Sequence, residues 1–194
     1  ISEAELREYT QIIISEADRL QSLLDRMLGP KNLPRIESVN IHEVLQHVRD
    51  LVKVEAGEGL HVSQDYDPSL PDIQADRDML LQAILNIVRN AIQALENRGE
   101  LVLRTRERRH FNIGSKKYRL VARIQIIDNG PGIPEELRKQ IFYPMITGRS
   151  DGTGLGLSIA QALINRHHGL IECQSQPGKT VFTLLLPLDE KHES

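Results

Sequence analysis

The sequence predicts an α/β protein: a mixed sheet covered on one face by helices, forming a two-layer sandwich, with one long amphipathic helix in front. Two observations carry this. Residues 2–28 contain no glycine or proline and place apolar side chains at helical steps. From Val39 onward, stretches of helical periodicity alternate with stretches of period two, separated by turns rich in Gly, Pro, Asn and Asp.

The elements follow in order. Leu6, Tyr9, Ile13, Ala17, Leu20, Leu24 and Met27 make a heptad-like seam, widened by Ile12, Leu23 and Leu28, which one helix cannot bury alone. Gly29-Pro30 ends it, and residues 29–38 read as a linker. Asn40 is placed to cap a helix over 41–55, with Glu43 as its capping-box partner. Residues 60–66 alternate as a strand, and "DPSLPD" is a turn. The segment "ADRDMLLQAILNIVRNAIQALENRG" is a long amphipathic helix ending at Gly99. Residues 100–109 and 117–128 read as strands joined by a loop around "NIGSKK". "DNGPGIP" is a tight turn, 135–141 a short helix, 142–153 a loop, and 155–168 a helix closed by Gly169. Residues 170–175 and 180–187 form a terminal hairpin, and 190–194 a tail.

Composition excludes several function classes. Of 194 residues, 40% are hydrophobic and 26% charged, with a net charge of −3. That balance gives no general attraction to nucleic acid or anionic membrane. Arg104, Arg106 and Arg108 in "RTRERRH" alternate on one strand face and read as solvated. No apolar run approaches the ~20 residues of a membrane span, and the Leu6–Met27 seam is interrupted by Glu and Arg. Cys173 is the single cysteine, so no internal disulfide forms, which suits a cytoplasmic protein. Ile1 in place of Met is the expectation for a fragment or a processed form.

Three motifs carry chemistry. In "NIVRNA", Asn86 and Asn90 lie one turn apart on one helix face. Their carboxamide oxygens are hard, neutral ligands suited to Mg²⁺, and a plain solvated face is the simpler alternative. In "DNGPGI", the strand "ARIQII" delivers Asp128 to a turn containing Gly130 and Gly132, ahead of Ile133. A carboxylate there can accept from an exocyclic amine, and an ordinary β-turn uses the same residues. In "DGTGLGLSIA", Gly152, Gly154 and Gly156, with Thr153, Leu155 and Leu157, run straight into a helix N-terminus. That is the place for a phosphate, or a hinge. The stretch lacks the Lys-Ser/Thr ending of a P-loop.

Together, in this order, the three resemble the N, G1 and G2 boxes of the GHKL ATPases: histidine kinases, the Hsp90 chaperone, MutL and type II topoisomerases. "IFYPMITGR" is similar to the histidine-kinase F box, with Phe142 and Pro144 in place, and Arg149 falls where that family usually has a lid lysine. "GKTVFTLLLP" resembles the closing G3 segment, with Thr180 at its characteristic position. The "DYDPSLP" turn and the short lid resemble the nitrogen-regulation branch.

The resemblance implies a Bergerat-type fold over 39–189, with 1–28 as the second helix of a dimerising hairpin. It implies ATP and Mg²⁺ as cofactors, with Asp128 on adenine, Asn90 and Asn86 on the metal, and Arg149 at the γ-phosphate. Gln93 stands where many relatives carry a basic residue, which leaves more to Arg149. The implied partners are a second copy of the chain, an NtrC-type response regulator and a PII signal protein. The chemistry would be phosphoryl transfer to a histidine and then to an aspartate. None of the seven histidines, His42, His47, His61, His110, His167, His168 and His192, lies in an acceptor box. His42-Glu43 comes nearest and lacks the Asn and Pro. The acceptor is therefore expected upstream of Ile1, and this fragment is not expected to phosphorylate itself. A nucleotide switch without kinase activity, and an ATPase of chaperone or mismatch-repair type, are the other readings. The short lid and the "IFYPM" box speak against the second.

Overall fold

The computed structural model describes residues 33–146 and 154–188. The chain divides into two units, Ile1–Leu33 and Pro34–Ser194. The expected amphipathic helix over 2–28 lies outside the described residues.

The second unit is built on a five-stranded sheet. Its elements are β1 (Glu37–Val39), α1 (Ile41–Ala56), β2 (Leu60–Asp65), β3 (Ile73–Ala75), α2 (Arg77–Ala94), β4 (Gly99–Ile113), β5 (Lys116–Asp128), α3 (Glu135–Arg138), α4 (Gly156–Arg166), β6 (Leu170–Gln176) and β7 (Lys179–Pro187). The strand order is β2-β4-β5-β7-β6, with β1 and β3 pairing separately. β2 runs parallel to β4, and the remaining neighbours are antiparallel, so the sheet is mixed as expected.

Alternation along each strand decides the faces. Leu101, Leu103, Ile124, Ile126, Phe182 and Leu184 are fully buried and form the inner face. Against it lie the apolar stripes of the helices: Val44, Leu45, Val48 and Val52 from α1; Leu80, Ile84, Ile87 and Val88 from α2; Ile159, Leu163 and Ile164 from α4. Each such side chain contributes about 1.5–3 kcal/mol. The packing therefore outweighs the small propensity costs of the β-branched residues in these helices.

Helix starts are fixed by side chains. Asp76 caps α2, its Oδ1 accepting from the Met79 amide at 3.1 Å, while its Oδ2 accepts from the Arg35 amide at 2.8 Å. Asn40 caps α1, but the expected capping box is not the arrangement found. Asn40 Oδ1 accepts from the His42 amide at 2.9 Å, and the Glu43 amide goes to the Asn40 carbonyl.

Three further expectations are corrected. The end of the linker is strand, because Glu37–Val39 pairs with Ile73–Ala75. "NIGSKK" is a tight hairpin turn, since pairing continues to Ile113↔Lys116. Of Arg104, Arg106 and Arg108, read as solvated in "RTRERRH", two are paired. Arg104 and Arg106 each donate to Asp65 at 2.7 Å.

Candidate nucleotide site

Asp128 ends β5 between Leu101 of β4 and Thr180 of β7. It is 3% exposed, and its Oδ1 accepts from the Gly130 amide at 2.9 Å. Burial pushes the carboxyl above the usual carboxylate range, and the Gly130 bond only partly offsets this. A buried carboxylate with one oxygen committed keeps the other for a donor.

The turn after Asp128 is fastened to the β6–β7 hairpin. Gly178 donates its amide to the Gly130 carbonyl at 2.9 Å, and the Ile133 amide donates to Ser175 Oγ at 2.8 Å. Ser175 and Thr180 share a hydroxyl hydrogen bond of 2.8 Å, both buried. Gly132 has φ +86°, and a Cβ there would come within 2.8 Å of the Gln176 backbone, so the closeness of the two turns requires glycine. Thr180 was expected at this place from the sequence, whereas Ser175 was not. Its signal was one hydroxyl on an alternating strand beside a hairpin turn, which looks like any solvated serine. A concavity of about 590 Å³ opens here, lined by Gly132, Ile133, Glu135, Arg138, Ser175 and Gln176 among others. It includes neither Asp128 nor the asparagines, so it flanks the carboxylate.

Helix α2 brings the three motifs together. Asn86 and Asn90 are half-buried on one face. At one end of that face sits the start of α4: a Cβ on Gly156 would lie 3.9 Å from both Asn86 Cβ and its carbonyl oxygen. At the other end sits the Asp128 turn: a Cβ on Gly130 would lie 3.6 Å from Leu95 Cδ2 and 3.7 Å from the Ala94 carbonyl. Residues 86, 90 and 94 are successive helical turns, so the face spans about 12 Å between the two. That is the scale of an extended nucleoside triphosphate.

The N-cap residue of α4, Leu155, makes no side-chain cap hydrogen bond. The dipole of the helix favours an anion at this end. Leu155 is only 4% exposed, so its side chain belongs to the core and its backbone alone faces the turn. Gly154 has φ +64°, and its carbonyl accepts from the Met145 amide at 2.9 Å. Arg149, Gly152 and Thr153 lie between these two residues in sequence, outside the described residues. Phe142 packs edge-on to Phe182 at 6.4 Å between ring centroids.

His42 and His167 have structural partners. His42 stacks on Tyr66 at 4.8 Å, its Nε2 is 2.9 Å from Thr105 Oγ1, and burial lowers its pKa. His167 is buried, with Nδ1 2.8 Å from the Leu163 carbonyl and Nε2 accepting from the Asp76 amide at 3.0 Å. It is therefore neutral, and it joins the end of α4 to the cap of α2.

The residues present fit ATP and Mg²⁺ by donor chemistry: a buried carboxylate for an amine, two carboxamides for a hard cation, and a helix start for phosphates. Comparisons with known proteins bear on the fold and the family. Residues 75–190 match the family model of histidine kinase-, DNA gyrase B-, and HSP90-like ATPases. The chain is 50% identical over 185 residues to the sensory histidine kinase/phosphatase NtrB of Vibrio alginolyticus, covering 94% of this chain and 53% of the relative. It is 39% identical over 189 residues to NtrB of Rhizobium leguminosarum bv. phaseoli, covering 93% and 49%. The chain thus spans about half the length of the curated relatives it matches. Among solved structures, the catalytic domain of histidine kinase ThkA superposes with a TM-score of 0.65 at 27% identity, covering 79% of this chain and 96% of that one. Full-length ShkA in complex with AMPPNP gives 0.69 at 26% identity, covering 98% and 40%. The chain belongs to the family of histidine kinase-, DNA gyrase B-, and HSP90-like ATPases.

Proposed function

We propose that this chain is the ATP-binding catalytic part of a cytoplasmic two-component sensor histidine kinase of the nitrogen-regulation type. The observation that carries the reading is the single face of α2, with the Asp128 turn at one end, the α4 N-terminus at the other and two asparagines between. The NtrB relatives supply the kinase class, and the complex of ThkA with the response regulator TrrA supplies the kind of downstream partner.

Bound MgATP supplies the γ-phosphoryl group. Asp128 accepts from the adenine amine, and its burial excludes competing water. Ser175 and Thr180 hold the turn that carries Asp128, while Ile133 and Leu157 offer apolar contact to the base. Asn90, helped by Asn86, would hold Mg²⁺, which would supply charge to the phosphates. The backbone of 152–156 wraps the phosphates, and Arg149 steadies the γ-phosphate as its charge is redistributed. The acceptor is a histidine on a hairpin helix outside this chain. Neutral imidazole is already nucleophilic, so no general base is required. The phosphoryl group then passes to an aspartate of an NtrC-type regulator, with a PII-type protein as input and dimerisation through the hairpin.

Calorimetric titration with nucleotide, with and without Mg²⁺, tests the division of labour along α2. Asn90→Ala should remove the Mg²⁺-dependent gain in ATP affinity and leave adenosine binding within about twofold. Equal loss of adenosine and MgATP would make Asn90 a structural residue and defeat the metal assignment.

A further inference from the structure

The outer face of the sheet carries a feature the nucleotide site does not use. Arg104, Arg106 and Arg108 alternate along β4, about 7 Å apart by strand geometry. In the β4–β5 register, Arg106 stands directly opposite Arg123. Like charges directly opposed across a strand pair destabilise it. Asp65 answers Arg104 and Arg106, each at 2.7 Å. Among the described residues, no carboxylate answers Arg108 or Arg123. The charges acting on Arg123 are Arg108, Arg106 and Arg104, all of its own sign, and its Nε is buried with no hydrogen-bond partner.

Apolar residues border this patch. Arg108 pairs in register with Val121, and Arg123 with Leu185. Val121 and Leu185 belong to a small cluster with Ile113 and Tyr118, against which Phe111 and Leu170 pack. Apolar surroundings strengthen an ion pair formed at their edge. Asp65 holds Arg106, so Arg123 is the uncompensated charge of the opposed pair, and a neutral residue there would relieve the repulsion. That excess positive charge is available to a contact from outside this face.

We propose that Arg104, Arg106, Arg108 and Arg123 form a docking surface for a carboxylate-rich segment of a partner protein. Carboxylates on alternate residues of an extended segment repeat at about the spacing of the β4 arginines. Arg108 and Arg123 each present an unanswered guanidinium fork, which suits a carboxylate bidentately. Nucleic acid fits the face less well. The protein's net charge is −3, and the residues in register with Arg104, Arg106 and Arg108 are Gln125, Arg123 and Val121, none of them an aromatic on which a base could stack.

The test uses the whole chain and two fluorescein-labelled probes, a decaglutamate peptide and a ten-nucleotide oligothymidylate, with anisotropy read at low and at physiological salt. Decaglutamate should bind, more weakly as salt rises. The double variant Arg108→Gln/Arg123→Gln should bind it at least tenfold more weakly, with ATP affinity unchanged. Arg108→Glu, at an exposed position that does not endanger folding, should lose at least as much as Arg108→Gln alone. The double variant should also melt no lower than the unsubstituted chain, because it relieves a repulsion. Decaglutamate affinity unchanged in these variants would overturn the proposal, as would tighter binding of the oligothymidylate through the same two arginines.

Discussion

Asp128 pairs burial with charge, and no cation among the described residues offsets the cost. Its carboxyl is pushed up by desolvation, and Gly130 alone counteracts this. For an acid whose folded pKa is raised, the ionised form penalises folding, and the penalty grows as pH rises from the ordinary carboxylate range through the folded value. At neutral pH the nucleotide-free protein carries that cost. Asp128→Asn keeps an oxygen for the Gly130 amide and removes the charge. It should raise the melting temperature of the nucleotide-free protein by about 2–4 °C, the shift that ~1 kcal/mol gives at this size. The same change should weaken ATP about 10–150-fold, because a hydrogen bond to a charged acceptor is worth roughly 1.5–3 kcal/mol. Differential scanning fluorimetry and calorimetry read the two effects on one sample. A lower melting temperature with unchanged ATP affinity would make Asp128 purely structural. The residue could be singled out in "DNGPGI"; its burial could not, because a strand-end aspartate in a glycine turn is ordinarily exposed.

The ties between elements are less visible in sequence than the elements themselves. Helix α2 could be read from its apolar period, and β4 to β7 from alternation. β1 and β3 could not, because three residues beside prolines do not display a period of two. The sequence does not distinguish His167 from the other histidines. Its ring bridges the Leu163 carbonyl and the Asp76 amide, the latter 91 residues away in sequence. Burial holds its pKa below the usual range. For a histidine depressed in this way, its contribution to stability is complete above about pH 6.5 and declines as pH falls from there toward the folded value. His167→Gln should destabilise the protein by about 1–3 kcal/mol at pH 7.5, since a buried amide and carbonyl lose their partner. It should also flatten the fall in melting temperature between about pH 7 and pH 5, leaving the share due to His42. An unchanged slope would remove His167 from the pH response.

The lid stem is a second tie. Gly154→Ala would place a Cβ 2.6 Å from the Met145 carbonyl carbon, at a left-handed φ. It should weaken MgATP by about tenfold, roughly the 1–2 kcal/mol cost of strain at such a position. Adenosine affinity should be retained. Loss of both ligands alike would show that the stem supports the whole site.

At the scale of the molecule, the two-layer architecture and the three nucleotide motifs were legible because each is a local pattern. The arginine face was not, because its meaning depends on which residues of β2, β5 and β7 stand beside β4. The same limit applies to function: in the proposed reading the face of α2 binds the nucleotide, and transfer needs a histidine that this chain does not place in an acceptor context. His42 is the nearest candidate, and its Nε2 and ring face are engaged by Thr105 and Tyr66. The most direct test is incubation with γ-labelled ATP, alone and with a separate polypeptide carrying the acceptor helix of the hairpin, followed by acid and base treatment. The account predicts no label on this chain alone. It predicts acid-labile, base-stable label on the added polypeptide, accumulating slowly because the millimolar effective concentration of a tether is missing. Acid-labile label on this chain alone that disappears in His42→Ala, or ATP binding without any transfer to the acceptor helix, would contradict it.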